Sequence, residues 1–274
     1  MSAQREFKRI TVPDIVQLKG QRKIVCLTAY RAPIAGLLDP VVDLLFSGRF
    51  VGMVVHGLPS TVGVKVEMMI LHGQAVMRGA SRALVVVDLP FGSYERSAEQ
   101  AYDTAVRVMQ ETGCQAVKLE CNPGCARTIE FLTGRGIPVM GPVGLTPQPV
   151  NLDGGFKTKG HSAAERMHIM DDAEEMAKTG AFAVVVEGVF ESVAEEVTRT
   201  LSIPTIGIGA ASSCDGQISV VDDMLGLFEK VPKFVRRYGA MRELVQAAAE
   251  QYSQDGKACA FPSIAESYQH QNRG

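Results

Sequence analysis

Short apolar runs recur along the chain, and longer stretches with a mixed apolar and polar pattern separate them. The runs are rich in β-branched residues and too short for helices, which is typical of buried strands in a parallel sheet. The predicted strands are Ile24–Ala29, Asp43–Phe46, Ala83–Asp88, Ala116–Glu120, Pro138–Gly141, Ala183–Glu187, Pro204–Gly209 and Gln217–Val220.

Helical periodicity lies between most of these strands, as in Ala98–Glu111 and Ser162–Thr179. Gly113, Gly136 and Gly180 follow such stretches, where a residue with positive φ ends a helix. Strands that alternate with helices in this way predict a parallel (β/α)8 barrel. A doubly wound open sheet is the alternative, but no Gly-x-Gly-x-x-Gly fingerprint follows the first strand.

The length of 274 residues fits a single barrel domain spanning residues 1–274. Helices near Val235–Tyr252 and a polar, flexible tail to Gly274 are expected to end it. One long connection, Gly141 to Gly160, stands out. A loop of this length inside a compact barrel is usually a functional lid, and an oligomer contact is the alternative.

Composition excludes several classes of function. A net charge of −2 and a pI near 6.2 leave no basic face for nucleic acid. The first residues do not resemble a signal peptide, and no apolar run approaches the roughly 20 residues of a membrane span. We therefore expect a cytoplasmic protein without a membrane partner. The six cysteines are scattered, which favours reduced thiols, and Cys121 and Cys125 lack the further ligands of a zinc site.

Three of the predicted strands end in an acid: Asp88, Glu120 and Glu187. Lys118 lies near the end of the second of them. The carboxyl ends of barrel strands form the floor of the active site. Three acids and a lysine there would make a site for a hard cation with a general base beside it. The alternative is that each acid caps the helix that follows it.

Specific motifs in the chain resemble those of the ketopantoate hydroxymethyltransferases (3-methyl-2-oxobutanoate hydroxymethyltransferases), over roughly Arg9 to Glu266. The motifs are Val87-Asp88-Leu89-Pro90-Phe91, Val117-Lys118-Leu119-Glu120, Gly144-Leu145-Thr146-Pro147-Gln148, Gly154-Gly155-Phe156, Ile206-Gly207-Ile208-Gly209-Ala210 and Asp215-Gly216-Gln217-Ile218.

The resemblance implies a (β/α)8 TIM barrel of the phosphoenolpyruvate/pyruvate superfamily that assembles as a large homo-oligomer, typically a decamer. It also implies an enzyme of pantothenate biosynthesis, which transfers a one-carbon unit from 5,10-methylenetetrahydrofolate to 3-methyl-2-oxobutanoate. Mg2+ held by carboxylates can chelate the oxygens of such a substrate and stabilise the enolate that forms.

The same resemblance assigns roles to individual residues. Asp88 and Glu120 correspond to metal-site acids, and Asp88 also lies among the substrate-binding residues with Lys118. Glu187 matches the base that abstracts the proton. A base at the end of an apolar strand has the raised proton affinity that this step requires.

The chain departs from the family pattern at the site. Where the family has Gly-Asp-Ser after the second strand, with a metal-binding Asp, this chain has Gly48-Arg49-Phe50. Pro142 replaces a histidine, Cys121-Asn122 replaces Gly-Gly, and His161 stands where arginine is common. Arginine has no lone pair to offer a metal and carries a permanent positive charge.

These departures give two interpretations of the metal site. In the first, the Arg49 guanidinium binds the carboxylate of the oxo acid, and Mg2+ binds weakly, with Asp88 as the stronger ligand. In the second, Arg49 pairs with Asp88 or Glu120, fills the site with a salt bridge and abolishes metal binding.

The function favoured by these residues is that of a hydroxymethyltransferase-like enzyme acting on a small 2-oxo acid. The alternatives are a non-catalytic homologue that binds a small oxo acid, an aldolase that uses another donor, and a lyase or mutase of the same superfamily.

Overall fold

The computed structural model describes residues 8–120, 125–144 and 158–268. All eight predicted strands form, and they close into one parallel barrel in sequence order, with the last strand pairing back to the first. The strands are β1 (Ile24–Thr28), β2 (Leu44–Ser47), β3 (Leu84–Asp88), β4 (Ala116–Lys118), β5 (Val139–Gly144), β6 (Ala183–Glu187), β7 (Thr205–Ile208) and β8 (Gly216–Ser219). The barrel prediction is confirmed, and the open-sheet alternative is wrong.

Helices connect most of the strands of the barrel. The α-helices are Val12–Gln17, Ala32–Leu38, Val51–Val54, Val66–Gly79, Ala98–Thr112, Cys125–Thr133, Ala163–Lys178, Glu191–Thr200, Val221–Met224 and Met241–Lys257, with 3-10 turns at Thr61–Gly63 and Ile264–Glu266. Their ends carry the expected signals. Ser162 and Glu165 form a reciprocal capping box, and Gly113 ends its helix with φ 78°.

Two predicted strand ends differ from the observed ones by more than one residue, both close to the site. β4 stops at Lys118, so Glu120 lies beyond the strand. β5 was expected to stop before Pro142, but it runs through this residue to Gly144. The last pair between β4 and β5 is Lys118 with Met140, so β5 at Pro142 is paired only with β6. Proline is tolerated where one side of a strand is unpaired, because its missing N–H then breaks no ladder bond.

The amino end of the barrel is filled by the helix Val12–Gln17. Ile15 of this helix is fully buried and belongs to the same apolar cluster as Ile24, Leu44 and Leu84 inside the barrel. Thr11 caps the helix, and its side chain and that of Asp14 bond each other's backbone N–H groups. An apolar core at this end leaves the opposite end of the barrel for polar chemistry.

The chain divides into two compact units, Met1–Val221 and Asp222–Gly274. In the second unit the expected final helix begins at Met241, later than the predicted Val235, and none of its residues is buried. The single-domain assignment stays a prediction, and the last tail residues, 269–274, lie outside the described residues.

Three further expectations concern single segments. The centre of the predicted lid, residues 145–157, lies outside the described residues. Cys26, Cys114, Cys214 and Cys259 are free, but Cys125 is disulfide-bonded, so the expectation of reduced thiols is wrong there. In the described part of the chain, none of the helices combines the length and apolar character that crossing a bilayer requires.

Candidate functional site

Charged side chains converge at the carboxyl ends of four strands. Asp88 is the last residue of β3, and Glu187 is the last residue of β6. Lys118 ends β4 in register with Asp88, and Glu120 follows shortly after. Arg49 lies just beyond the end of β2. Because the strands are parallel, these ends share the rim at which barrel enzymes carry their active sites.

Arg49 connects two of these acids. Its side chain is 1% exposed, Nη1 donates to Oδ2 of Asp88 over 2.9 Å, and Nη2 pairs with Oε1 of Glu120. The backbone N–H of Arg49 also donates to Oδ2 of Asp88, at 3.4 Å. The Nε atom is buried, and no hydrogen-bond partner for it lies among the described residues. The guanidinium fork therefore bridges both carboxylates, a geometry that a lysine ammonium could not reproduce.

Lys118 faces the same two acids from β4. Its Nζ lies 3.6 Å from Oδ1 of Asp88, 3.8 Å from Oε1 of Glu120 and 5.6 Å from the ring centroid of Phe46. Burial lowers the pKa of the Lys118 ammonium below its ordinary value, and the charge of Arg49 acts in the same direction, while Asp88 and Glu187 oppose both. Lys118 can therefore give up a proton more readily than an exposed lysine.

The pKa of Glu187 is shifted in the opposite direction, above its ordinary value. Burial raises the pKa of its carboxyl group above the ordinary value, with a smaller contribution in the same direction from Asp88. Lys118 and Arg49 lower it, but less than burial raises it. The residue as a whole keeps some accessible surface, so the burial concerns mainly the carboxyl group. A carboxylate with raised proton affinity is suited to act as a general base.

Three residues near the site escaped the sequence analysis. The backbone N–H of Glu120 donates to the hydroxyl of the buried Tyr94 over 3.1 Å, which fixes this acid although it lies outside the strand. Phe46 packs its ring beneath Lys118, and the hydroxyl of Ser47 is buried without a hydrogen-bond partner among the described residues. The period of two along a strand, which puts Phe46 on the same face of β2 as Leu44, could have indicated Phe46. No signal marks Tyr94, because its position depends on the path of a loop.

The other departures from the family pattern are spread more widely. Pro142 is buried within β5 and offers no side-chain donor. Phe50 is half-buried and precedes the short helix Val51–Val54. His161 is exposed, and its ring stands edge-on to that of Phe190, with the two ring centroids 4.6 Å apart. Cys121 and Asn122 lie outside the described residues.

The described residues do not fit a divalent cation in this arrangement. Among them, no group of three histidine, cysteine, aspartate or glutamate side chains is placed to hold a metal ion. Asp88 and Glu120 both bind the Arg49 guanidinium, as the salt-bridge interpretation predicted. Their role as metal ligands stays a prediction, and so does the contact between Arg49 and a substrate carboxylate.

Comparisons with known proteins agree on one family. The family model described as ketopantoate hydroxymethyltransferase matches residues 9–264. Curated relatives named 3-methyl-2-oxobutanoate hydroxymethyltransferase include that of Phenylobacterium zucineum, 60% identical over 270 residues, and that of Caulobacter vibrioides, 59% identical over 270 residues; each match covers 98% of both chains. The relative from Hyphomonas neptunium is 56% identical over 274 residues and covers 100% of both chains.

Solved structures support the fold. A 2,3-dimethylmalate lyase, titled a member of the PEP mutase/isocitrate lyase superfamily, matches with a TM-score of 0.59 at 12% identity and covers 94% of this chain and 91% of that one. A phosphoenolpyruvate phosphomutase from Streptomyces platensis subsp. rosaceus matches with a TM-score of 0.60 at 12% identity, over 90% and 88% of the two chains. At such low identity the likeness shows the barrel alone.

Proposed function

The chain belongs to the ketopantoate hydroxymethyltransferase family, a family of enzymes, and on that premise we propose that it adds a hydroxymethyl unit to a small 2-oxo acid such as 3-methyl-2-oxobutanoate through an enolate. The proposal includes 5,10-methylenetetrahydrofolate as the one-carbon donor and a place in pantothenate biosynthesis. It also includes a cytoplasmic location and a homo-oligomeric, decameric assembly. The donor, the pathway and the assembly come from the family resemblance, and the location comes from the composition of the chain.

The observation that carries the proposal is the pairing of a base with a cationic group at one rim of the barrel. Glu187 has a raised pKa, and Lys118 lies near enough for its charge to act on that carboxyl group. Removal of a proton beside a ketone requires both features, because the base must accept the proton while positive charge stabilises the oxygen that becomes negative.

In the first step, Glu187 accepts the proton from C3 of the oxo acid, and the electrons of the C–H bond pass into an enolate whose oxygen lies near Lys118. In the second step, water adds to the one-carbon unit of the donor, both carbon–nitrogen bonds of its methylene bridge break, and the two donor nitrogens take up the two protons of the water. The enolate carbon attacks the formaldehyde so released and forms the new carbon–carbon bond, and the former carbonyl oxygen of the formaldehyde takes back the proton from Glu187 and becomes the hydroxyl group of the product.

Deuterium exchange at C3 of 3-methyl-2-oxobutanoate tests the first step without the donor. We expect wild type to exchange this hydrogen and Glu187→Gln to lose about 10²-fold or more in rate, the usual contribution of a positioned general base. Glu196→Gln is the matched control, because Glu196 pairs with Arg166 on the outer helices and lies outside the site. Equal exchange in wild type and Glu187→Gln would remove Glu187 from the mechanism.

One observation favours the alternative functions: Arg49 forms salt bridges with both Asp88 and Glu120, the two acids that the family resemblance assigns to the metal. A homologue that binds a small oxo acid without turnover, or an aldolase that uses another donor, would tolerate this change. Calorimetric binding of the oxo acid without exchange at C3 would favour the binding protein. Exchange without use of the folate donor would favour the aldolase.

A further inference from the structure

Arg49 is fixed in place by its backbone as well as by its side chain. It lies in the turn between β2 and the helix Val51–Val54, and its carbonyl accepts a hydrogen bond from the N–H of Gly52 at 3.0 Å. Its own N–H points to Asp88, and the side chain reaches across to Glu120. The guanidinium thus contacts the two acids that the family resemblance assigns to a metal: Asp88 at the end of β3, and Glu120 just beyond the end of β4.

The charges of Arg49, Lys118, Asp88 and Glu120 balance without an added ion, and Glu187, whose pKa burial raises, is the remaining acid nearby. Arg49 and Lys118 are the two cationic groups, and each of them faces both Asp88 and Glu120. All four side chains are almost completely buried. A divalent cation placed between the two acids would stand beside two positive charges in a region with little water, where repulsion is poorly screened.

We propose that the Arg49 guanidinium is the resident cation of this site and takes the place of a divalent metal ion. Asp88 and Glu120 then serve as guanidinium acceptors, and Arg49 is a positioning residue that holds them toward Lys118. The exclusion of metal stands whether or not the chain turns over a substrate. Its consequence, that enolate formation proceeds without metal, rests on the proposed function.

Metal binding and thermal unfolding test the inference independently of activity. Mn2+ binding is followed by electron paramagnetic resonance, and Tm is measured in EDTA and in excess Mg2+. We expect wild type to bind no Mn2+ at this site and to keep the same Tm in both solutions. Arg49→Asp should lose stability in EDTA, bind one Mn2+ and recover Tm with Mg2+, because the freed acids and the new carboxylate offer the oxygen ligands that Mg2+ prefers.

Three further variants make the result specific. Arg49→Met removes the charge with little loss of volume and should also gain stability from Mg2+, whereas Arg49→Lys keeps the charge and should not. Arg22→Met is the matched control, because Arg22 forms a two-pronged pair with Asp43 at the amino end of the barrel, with distances of 2.8 and 2.7 Å. It should lose stability without any recovery in Mg2+.

Wild type decides the matter even if no Arg49 variant folds. One Mn2+ bound per chain in wild type, and lost in Asp88→Asn, would overturn the inference. So would equal Mg2+ recovery in Arg49→Asp and Arg22→Met. Exchange at C3 that requires added metal would contradict metal-free chemistry and leave the proposed function standing. Absence of exchange under every condition would count against the proposed function alone.

Discussion

The pKa values of Lys118 and Glu187 depend on burial and on the neighbouring charges of Asp88 and Arg49. Burial and the charge of Arg49 both lower the pKa of Lys118, and among its neighbours Asp88 raises that pKa most. Removing one partner of a buried ion pair typically costs about 3–5 kcal/mol, because the remaining charge is left uncompensated. Substitutions in this cluster therefore change stability as well as chemistry, and each needs a measurement of both.

The pH dependence of exchange at C3 should be bell-shaped. Burial raises the pKa of Glu187, so the rising limb, on which the carboxylate base forms, should lie above the ordinary range of a glutamate. Burial lowers the pKa of Lys118, so the falling limb, on which the ammonium charge is lost, should lie below the ordinary range of a lysine. The exchange rate is measured across pH in wild type.

Lys118→Arg provides the control for the falling limb, because a guanidinium stays protonated throughout the accessible range. This variant should keep the rising limb and lose the falling one. Limbs at the ordinary values of glutamate and lysine would show that burial does not control the site.

The end of β5 positions Glu187 through backbone contact. Gly144 pairs in register with Glu187, and its φ of 95° lies in the left-handed region. A Cβ at Gly144 would come within 2.4 Å of Cγ1 of Val189 and 2.6 Å of the carbonyl oxygen of Glu187. Glycine is therefore required there by both backbone conformation and space.

Gly144→Ala should lower the free energy of unfolding through two effects. The left-handed backbone costs about 1–2 kcal/mol for a residue with a Cβ, and the clash costs about a further 1–3 kcal/mol. Gly136→Ala is the control, because Gly136 has φ 82° but nothing within 4 Å of an added Cβ, so only the first effect applies. Equilibrium denaturant unfolding compares them, and equal losses would contradict a steric role for Gly144.

The strands could be predicted because continuous apolar runs are typical of strands buried on both faces. Their ends were harder to predict. Proline usually ends a strand, so the prediction stopped before Pro142. β5 nevertheless continues through this residue, because β4 no longer pairs with β5 there, and the sequence alone does not show where that pairing ends. The start of the last helix at Met241 was also missed, and none of its residues is buried. Because the helix has no buried apolar stripe, its sequence pattern gives no clear signal for the residue at which the helix begins.

The site was predictable where a residue ends a strand or lies in a family motif, and unpredictable where neither applies. Asp88 and Glu187 end their strands, so their meeting at one rim follows from the barrel alone. Tyr94 reaches Glu120 from a loop that no periodicity describes. The two interpretations of Arg49 could not be separated from sequence, because the choice depends on where the side chain of Arg49 extends.

In the barrel unit, the stabilising contacts and the charged cluster lie at opposite ends of the barrel axis. Its amino end holds the apolar packing around Ile15 and the ion pairs of Arg22 with Asp43 and of Lys19 with Asp215. Its carboxyl end holds the charged cluster. Scaffold and site therefore occupy opposite ends, an arrangement that lets one barrel carry different chemistries.

Formation of ketopantoate from 3-methyl-2-oxobutanoate and 5,10-methylenetetrahydrofolate, measured in EDTA by mass spectrometry, tests the central claim most directly. We expect wild type to form the product without added metal, and we expect Glu187→Gln to form about 10²-fold less or none. The Glu196→Gln control should match wild type. No product from wild type, either in EDTA or in excess Mg2+, would contradict the assignment of hydroxymethyl transfer to this site.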